Sequence, residues 1–225
     1  QVTPDHIRRA RQGYFANISL LDARLGQIFA AIEEAQQEAT VVFLSDTGEM
    51  LGDRGLWGQM GLFEGALRVP LMISGPGIAP GVVREPVSTV DLCATIGAIA
   101  GVDPAALMPW SDGVNLLPMA QGGKRGMVRM EYAADGAVAP IVALRQGAWK
   151  YIRSLSGPDQ LFDLATDPDA LTNLTPDPRA EAILAHFRSA ADGAWDLSAF
   201  DGAVQDSRAR RGLIYRALYG GPDPA

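Results

Sequence analysis

The residues best suited to chemistry follow a short apolar run near the start of the chain. Asp46 comes just past the run 41–44, and glycines recur behind it at positions 48, 52, 55 and 58. In open α/β sheets, ligands bind beyond the carboxyl ends of the strands, and glycines let a loop fold closely around an occupant. A carboxylate beside Thr47, with Glu49 and Asp53 nearby, suits a hard divalent cation such as Ca²⁺ or Mg²⁺. A carboxylate that only caps the turn after the strand explains the same spacing equally well.

Apolar patterning predicts the elements that must position this loop. Thr3 is a helix cap, and apolar residues then recur at helical spacing over residues 7–32, which predicts a long amphipathic helix. The continuous apolar runs at 41–44 and 68–74 predict strands that are buried on both faces. Residues 87–101 predict another helix. Helix, strand, loop, strand and helix in this order are typical of a layered α/β domain.

Composition changes after this region. Residues 103–124 are rich in Pro, Gly and Asp, which predicts a segment wrapped over the surface. Short apolar segments then predict a small antiparallel sheet, and two later stretches have helical spacing. We therefore expect an α/β core over residues 1–125 and an antiparallel-sheet subdomain with carboxy-terminal helices over 126–225. The predicted strands cover 127–132, 138–145, 149–154 and 160–164, the predicted helices cover 179–195 and 203–219, and an irregular end follows from residue 220.

Charge and residue counts exclude several classes of function. The net charge of −7 argues against a nucleic-acid partner, because phosphate backbones are held mainly by Lys and Arg. No apolar stretch reaches the roughly 18 residues that a membrane span needs. The single cysteine, Cys93, excludes an internal disulfide framework, and its apolar surroundings predict a buried, inert thiol. With only two histidines, a histidine-rich metal site is excluded as well.

The amino-acid sequence of this loop resembles that of a known family. Residues 43–59 read FLSDTGEMLGDRGLWGQ, and FEG at 63–65 and RVPLMI at 68–73 continue the pattern. This order resembles the sulfatases of the alkaline-phosphatase-like superfamily, and similar landmarks extend over nearly the whole chain. Within that family, the segment around Glu131 and the carboxy-terminal helix are similar to choline sulfatases. The resemblance implies that residues 1–125 form the carboxy-terminal part of the sulfatase α/β core.

The resemblance also implies a nucleophile that this chain does not carry. Sulfatases convert Cys or Ser of a Cys/Ser-x-Pro-x-Arg motif to formylglycine, which attacks the sulfate ester with the help of a divalent cation, Ca²⁺ or Mg²⁺/Mn²⁺. Ser74 and Ser156 are each followed by Gly-Pro but not by the arginine, and Cys93 lacks the proline. We therefore expect the formylglycine to lie upstream and this chain to be inactive alone.

Four residues take up family positions in the expected site. Asp46 matches the family's aspartate metal ligand, whereas Thr47 stands where a His or Asn ligand is usual. Gln59 stands where a lysine usually pairs with the sulfate oxygens. Glu131 matches the glutamate that faces the quaternary ammonium of choline, although a strand-end glutamate in solvent fits that position equally well. The Thr47 hydroxyl is a weaker donor than His or Asn, which predicts looser metal binding. The neutral Gln59 predicts weaker stabilisation of transition-state charge than a lysine would give.

Three functional interpretations remain open. The first is a hydrolase for a small sulfate ester, with choline sulfate as the suggested substrate. The second is a degenerate relative that binds a ligand or a partner protein without turnover, and the third is a phosphate or phosphonate monoester hydrolase of the same superfamily. The likeness to choline sulfatases implies a cytoplasmic protein. The charge and the lack of a long apolar stretch argue against a nucleic-acid or membrane partner, and a homo-oligomer is left open.

Overall fold

The computed structural model describes residues 2–134 and 136–220, which divide into two compact units. The first unit comprises the described residues up to Val83 together with residues 120–122. The second comprises residues 84–119 and the described residues from Gly123 onward. The expected domain boundary after residue 125 stays a prediction. Of the irregular end predicted from residue 220 onward, Gly220 directly follows the last helix, and residues 221–225 lie outside the described ranges.

The first unit begins with a long helix, α1, over Pro4–Glu34. The Thr3 hydroxyl accepts a hydrogen bond from the His6 amide at 3.3 Å, and the His6 ring accepts one from the Thr3 amide at 3.4 Å. These two bonds satisfy amides that the first helical turn leaves without partners, and they confirm the predicted helix start.

The apolar residues of α1 are less buried than amphipathic spacing predicts. None of its residues is buried, and the Phe15 side chain is 60% exposed. Size explains the difference within this unit: a helix of 31 residues is about 46 Å long, whereas strands of four residues are about 13 Å long. A two-stranded sheet of this size offers too little surface to cover such a helix.

The sheet of the first unit has two antiparallel strands, β1 over Val41–Leu44 and β2 over Leu71–Ser74. Each predicted strand is present, but the expectation of burial on both faces is wrong. The residues of β1 are half-buried, and those of β2 alternate between half-buried and exposed. A strand is fully buried only when layers cover both faces, and a two-stranded ribbon does not supply them. A short helix, α2 over Glu64–Leu67, lies between the strands in sequence.

The second unit begins with two helices, α3 over Asp91–Ile99 and α4 over Pro104–Leu107. The buried residues of α3 are Asp91, Ala94, Thr95 and Gly97. Cys93 lies on the exposed side of this helix, so the expectation of a buried thiol is wrong. Helical periodicity explains this, because a residue two positions after a buried one points about 200° away from it.

The predicted antiparallel sheet is confirmed in the second unit. Its four strands pair in sequence order, each antiparallel to the next, and two helices follow them. None of the described helices combines the length and the apolar composition that crossing a bilayer requires. The strands are β3 over Val128–Tyr132, β4 over Ile141–Gln146, β5 over Trp149–Ser154 and β6 over Gly157–Asp163, and the helices are α5 over Glu181–Ala194 and α6 over Leu197–Tyr219.

A hydrophobic core forms where α5 packs on this sheet. Leu144, Tyr151 and Leu161 come from three neighbouring strands and are fully buried. Leu184 and Phe187 recur at helical spacing on the facing side of α5, and the ring of Phe187 stacks on that of Tyr151 with centroids 6.0 Å apart. This core fixes the sheet and α5 as one body.

A buried ion pair fixes the chain that leads into β3. Asp91 is fully buried, and the Arg125 Nε lies 3.0 Å from its Oδ2. The amides of Ser88 and Val114 donate to the same carboxylate at 2.8 and 3.0 Å. Arg125 also donates to the Met127 carbonyl at 2.6 Å, directly before β3. One carboxylate therefore joins the start of α3, the half-buried loop around Val114 and the entry to the sheet.

Candidate functional site

Asp46 lies in the turn directly after β1, and its side chain is exposed. Its Oδ1 accepts a hydrogen bond from the Thr47 amide at 2.8 Å, and the Ser45 hydroxyl donates to the Thr47 carbonyl at 2.7 Å. A carboxylate has about four lone-pair sites, so one amide bond leaves most of them open. Asp46 therefore caps the turn after β1. Its remaining lone pairs are still available to bind a cation from the exposed side.

Gly48 brings the loop after Asp46 into close contact with α2. Its amide donates to the Ala66 carbonyl at 2.8 Å. A Cβ built at Gly48 would lie 2.1 Å from the Gly65 carbonyl oxygen, far inside van der Waals contact. Met50 packs beneath the same segment and is 1% exposed. Glycine is therefore required at position 48, and the turn that presents Asp46 rests on a packed base.

Glu49 closes the loop that follows. The Gly58 amide donates to its Oε1 at 2.5 Å, while the Met50 amide donates to the Gly58 carbonyl at 3.0 Å. Both polar groups of Gly58 are thus held, and Gln59, the next residue, projects into solvent. The Glu49 carboxylate acts as a clamp on residues 50–58, a role that sequence reasoning missed.

Arg11 of α1 contacts residues 51 and 53 of the same loop. Its Nε donates to the Leu51 carbonyl at 2.8 Å, and its Nη2 lies 3.4 Å from Asp53 Oδ1. Leu51 and Arg54 adopt φ values of 51° and 57°, which cost energy for residues with a Cβ. Contacts with Arg11 and Gly58 help to keep this strained loop in one conformation.

The carboxylates near Asp46 do not form a complete metal site. Glu49 is directed to the Gly58 amide and Asp53 to Arg11, as described above. Within residues 2–134 and 136–220, no group of three or more His, Cys, Asp or Glu side chains is placed to hold a metal ion. The chemistry of the donors fits a contribution of one carboxylate, from Asp46, with the half-buried Thr47 beside it.

Glu131 lies in the second unit, on β3, where its side chain is exposed. Its Oε1 accepts a hydrogen bond from the Trp195 indole Nε1 at 2.5 Å. The two residues are 64 positions apart in sequence, and no local pattern could have linked them. Asp46, Thr47 and Gln59 thus belong to one loop of the first unit, and Glu131 is held separately by an aromatic donor.

Two family profiles match the chain. One is described as sulfatase and covers residues 1–102, and the other is described as N-sulphoglucosamine sulphohydrolase, C-terminal, and covers residues 52–193. The first contains the Asp46 loop and the second contains Glu131.

Curated relatives agree with these profiles. The chain is 47% identical over 226 residues to a choline-sulfatase of Rhizobium meliloti (strain 1021), a match that covers 98% of this chain and 44% of the relative. It is 33% identical over 189 residues to arylsulfatase K of Homo sapiens, covering 76% of this chain and 34% of that protein. The chain therefore spans less than half the length of these relatives.

A solved structure agrees in fold. The phosphonate monoester hydrolase of Agrobacterium radiobacter matches with a TM-score of 0.71 and 26% identity, over 83% of this chain and 41% of that one. This likeness confirms the predicted fold class, part of an alkaline-phosphatase-like α/β fold with a small antiparallel sheet and carboxy-terminal helices.

Proposed function

The chain belongs to the sulfatase family, and on that premise we propose that it supplies one part of the active site of a longer sulfuric-ester hydrolase. The observation that carries this proposal is Asp46, an exposed carboxylate at the end of β1 on a loop packed against α2. Hydrogen bonds at Gly48, Glu49 and Arg11 hold this loop in one conformation, which places the carboxylate for a cation.

The residues of this chain define a limited chemical role. In the family, a bound divalent cation (Ca²⁺, Mg²⁺ or Mn²⁺) polarises the sulfuryl oxygens, and formylglycine supplies the nucleophilic oxygen. Asp46 would hold one position on that cation, with the neutral hydroxyl of Thr47 beside it. Gln59 would meet the sulfate oxygens with an amide, which contributes less electrostatic stabilisation than an ammonium group. No Cys/Ser-x-Pro-x-Arg motif occurs in the sequence, so catalysis requires residues outside it.

We propose choline sulfate, a small sulfate ester that carries a quaternary ammonium group, as the substrate. The likeness to a choline-sulfatase supports this choice, and so does the exposed carboxylate of Glu131, whose charge complements a quaternary ammonium group. Two other functions have specific support. Structural likeness to a phosphonate monoester hydrolase favours a phosphorus ester as substrate, and the neutral residues Thr47 and Gln59 favour a binding protein without turnover.

Substituting Gln59 by lysine in the full-length protein tests these proposals. We expect Gln59→Lys to raise kcat for choline sulfate about tenfold or more, because an ammonium at this position stabilises developing negative charge. Sulfate release is measured for choline sulfate, and phosphonate release for a phenyl phosphonate monoester. Gln12→Lys is the matched control, because it adds the same charge to an exposed position on α1 and should leave both rates unchanged.

The pattern of rates separates the three functions. Faster turnover of choline sulfate than of the phosphonate supports the sulfatase proposal, and the reverse order supports the phosphonate hydrolase. Turnover of neither ester, before and after Gln59→Lys, would contradict both enzymatic proposals and leave the binding protein.

A further inference from the structure

A hydrogen bond joins the side chains of Glu131 and Trp195. The indole N–H donates to Oε1 at 2.5 Å, and hydrogen bonds to an ionised acceptor are stronger than those between neutral groups. Glu131 lies on β3, an edge strand of the sheet, and its side chain is exposed. An exposed glutamate without such a partner would sample several rotamers. The bond to Trp195 restricts the carboxylate to one orientation.

Trp195 itself is held by its neighbours in the chain and by the core. Its amide donates to the Ala191 carbonyl at 3.0 Å, which ends α5. The next residue, Asp196, begins α6 by accepting a hydrogen bond from the Ala199 amide at 2.9 Å. The Trp195 side chain also packs against the hydrophobic core of the second unit. The indole donor is therefore positioned by two helix ends and by packing.

The bond leaves Glu131 able to bind a cation. It engages one oxygen, whereas a carboxylate offers about four lone-pair sites and keeps its full charge when it accepts from an indole. A quaternary ammonium carries no N–H group, so it cannot orient a carboxylate by hydrogen bonding. Its recognition therefore depends on how accurately the protein itself positions the negative charge of Glu131. A fixed carboxylate binds such a group with less loss of conformational entropy than a mobile one.

We infer that Trp195 is a positioning residue for Glu131, and that selectivity for an ester with a quaternary ammonium group depends on its indole N–H. This inference rests on the proposed role of Glu131 in binding the substrate's ammonium group. Trp195 acts through Glu131, so its removal should weaken binding of cationic substrates and leave the chemical step unchanged. A purely structural role would instead affect all substrates alike.

Kinetics of Trp195→Phe in the full-length protein test this inference. We expect KM for choline sulfate to rise several-fold, up to about tenfold, because binding must then order a mobile carboxylate. We expect kcat to stay within about twofold, and KM for 4-nitrophenyl sulfate, whose leaving group has no cation, to stay unchanged. Trp149→Phe is the matched control, because Trp149 packs against the same core and should leave the ratio of the two KM values unchanged. Glu131→Gln should raise that ratio at least as much as Trp195→Phe.

The outcomes distinguish this inference from the proposed function. If Glu131→Gln raises the KM ratio and Trp195→Phe does not, the positioning role is overturned and cation recognition by Glu131 stands. If neither variant changes the ratio, cation recognition by Glu131 fails and the inference fails with it.

A spectroscopic measurement keeps the inference testable even if Trp195→Phe does not fold. The chain has four tryptophans, and the indole N–H signal of Trp195 in the proton NMR spectrum should move when Glu131→Ala removes the acceptor of its hydrogen bond. An indole signal at the same chemical shift in the wild type and in Glu131→Ala would overturn the inference.

Discussion

Replacing Asp91 by alanine is expected to lower the free energy of unfolding by about 3–5 kcal/mol, one of the largest effects of any single substitution in this chain. The Asp91 side chain is fully buried, and that of Arg125 is only 10% exposed. The variant leaves a guanidinium charge in a buried position without its counter-charge. It also removes the acceptor for the amides of Ser88 and Val114, and each unsatisfied buried group adds to the loss. Urea unfolding of the chain, followed by tryptophan fluorescence, measures the change.

Asp112→Ala is the matched control for this prediction. Asp112 pairs with Arg129 at 3.6 Å, but the two side chains are 81% and 58% exposed. Exposed ion pairs contribute little, so the control should change the unfolding free energy by less than about 1 kcal/mol. Equal losses in both variants, or no loss in Asp91→Ala, would show that the buried pair does not hold this unit together.

Replacing Asp46 by alanine in the full-length protein is expected to reduce kcat/KM for choline sulfate at least about a hundredfold. The substitution removes a charged oxygen ligand from the proposed cation site, and lost stabilisation of transition-state charge has effects of this size. Stability should change little, because the Asp46 side chain is exposed and its only described bond is to the adjacent Thr47 amide. Initial rates of sulfate release measure the loss, and thermal unfolding checks the fold.

Glu34→Ala is the control for Asp46→Ala. It removes an exposed carboxylate from the end of α1, in the same unit, and should leave kcat/KM unchanged. A variant at position 46 that retains activity within about twofold of the wild type would contradict the proposed ligand role.

Local periodicity predicted the elements, but it did not predict how deeply they are buried. The strands of the small sheet and the helix α5 follow directly from short apolar runs and helical spacing, so sequence alone was sufficient for them. The apolar runs of β1 and β2 indicated strands covered on both faces, yet the residues of β1 are only half-buried. Burial depends on which layers are available to pack on a strand, and this information is not contained in the strand's own residues.

Some features of the candidate site could likewise be predicted from the sequence, and others could not. Asp46 could be placed at the end of β1 because the apolar run identifies the strand and the glycines identify the loop. The Glu49 clamp, the Arg11 contact and the Trp195 bond span 9, 40 and 64 positions in sequence. Such contacts arise when separate elements come together, and they leave no periodic signal. The roles of Thr47, Gln59 and Glu131 stay predictions. Each role depends on a cation or a substrate group that folding would bring near the side chain, and local sequence does not reveal such contacts.

Hydrolysis of 4-nitrophenyl sulfate by the purified chain tests the central proposal most directly. The proposal assigns one cation ligand, Asp46, to this chain and no nucleophile, since the sequence contains no Cys/Ser-x-Pro-x-Arg motif. Incubated with 4-nitrophenyl sulfate and a millimolar divalent cation, the folded chain should release no more 4-nitrophenol than buffer alone. Hydrolysis that increases in proportion to the concentration of the chain, and that Asp46→Ala abolishes, would contradict the proposal by showing a complete active site within these residues.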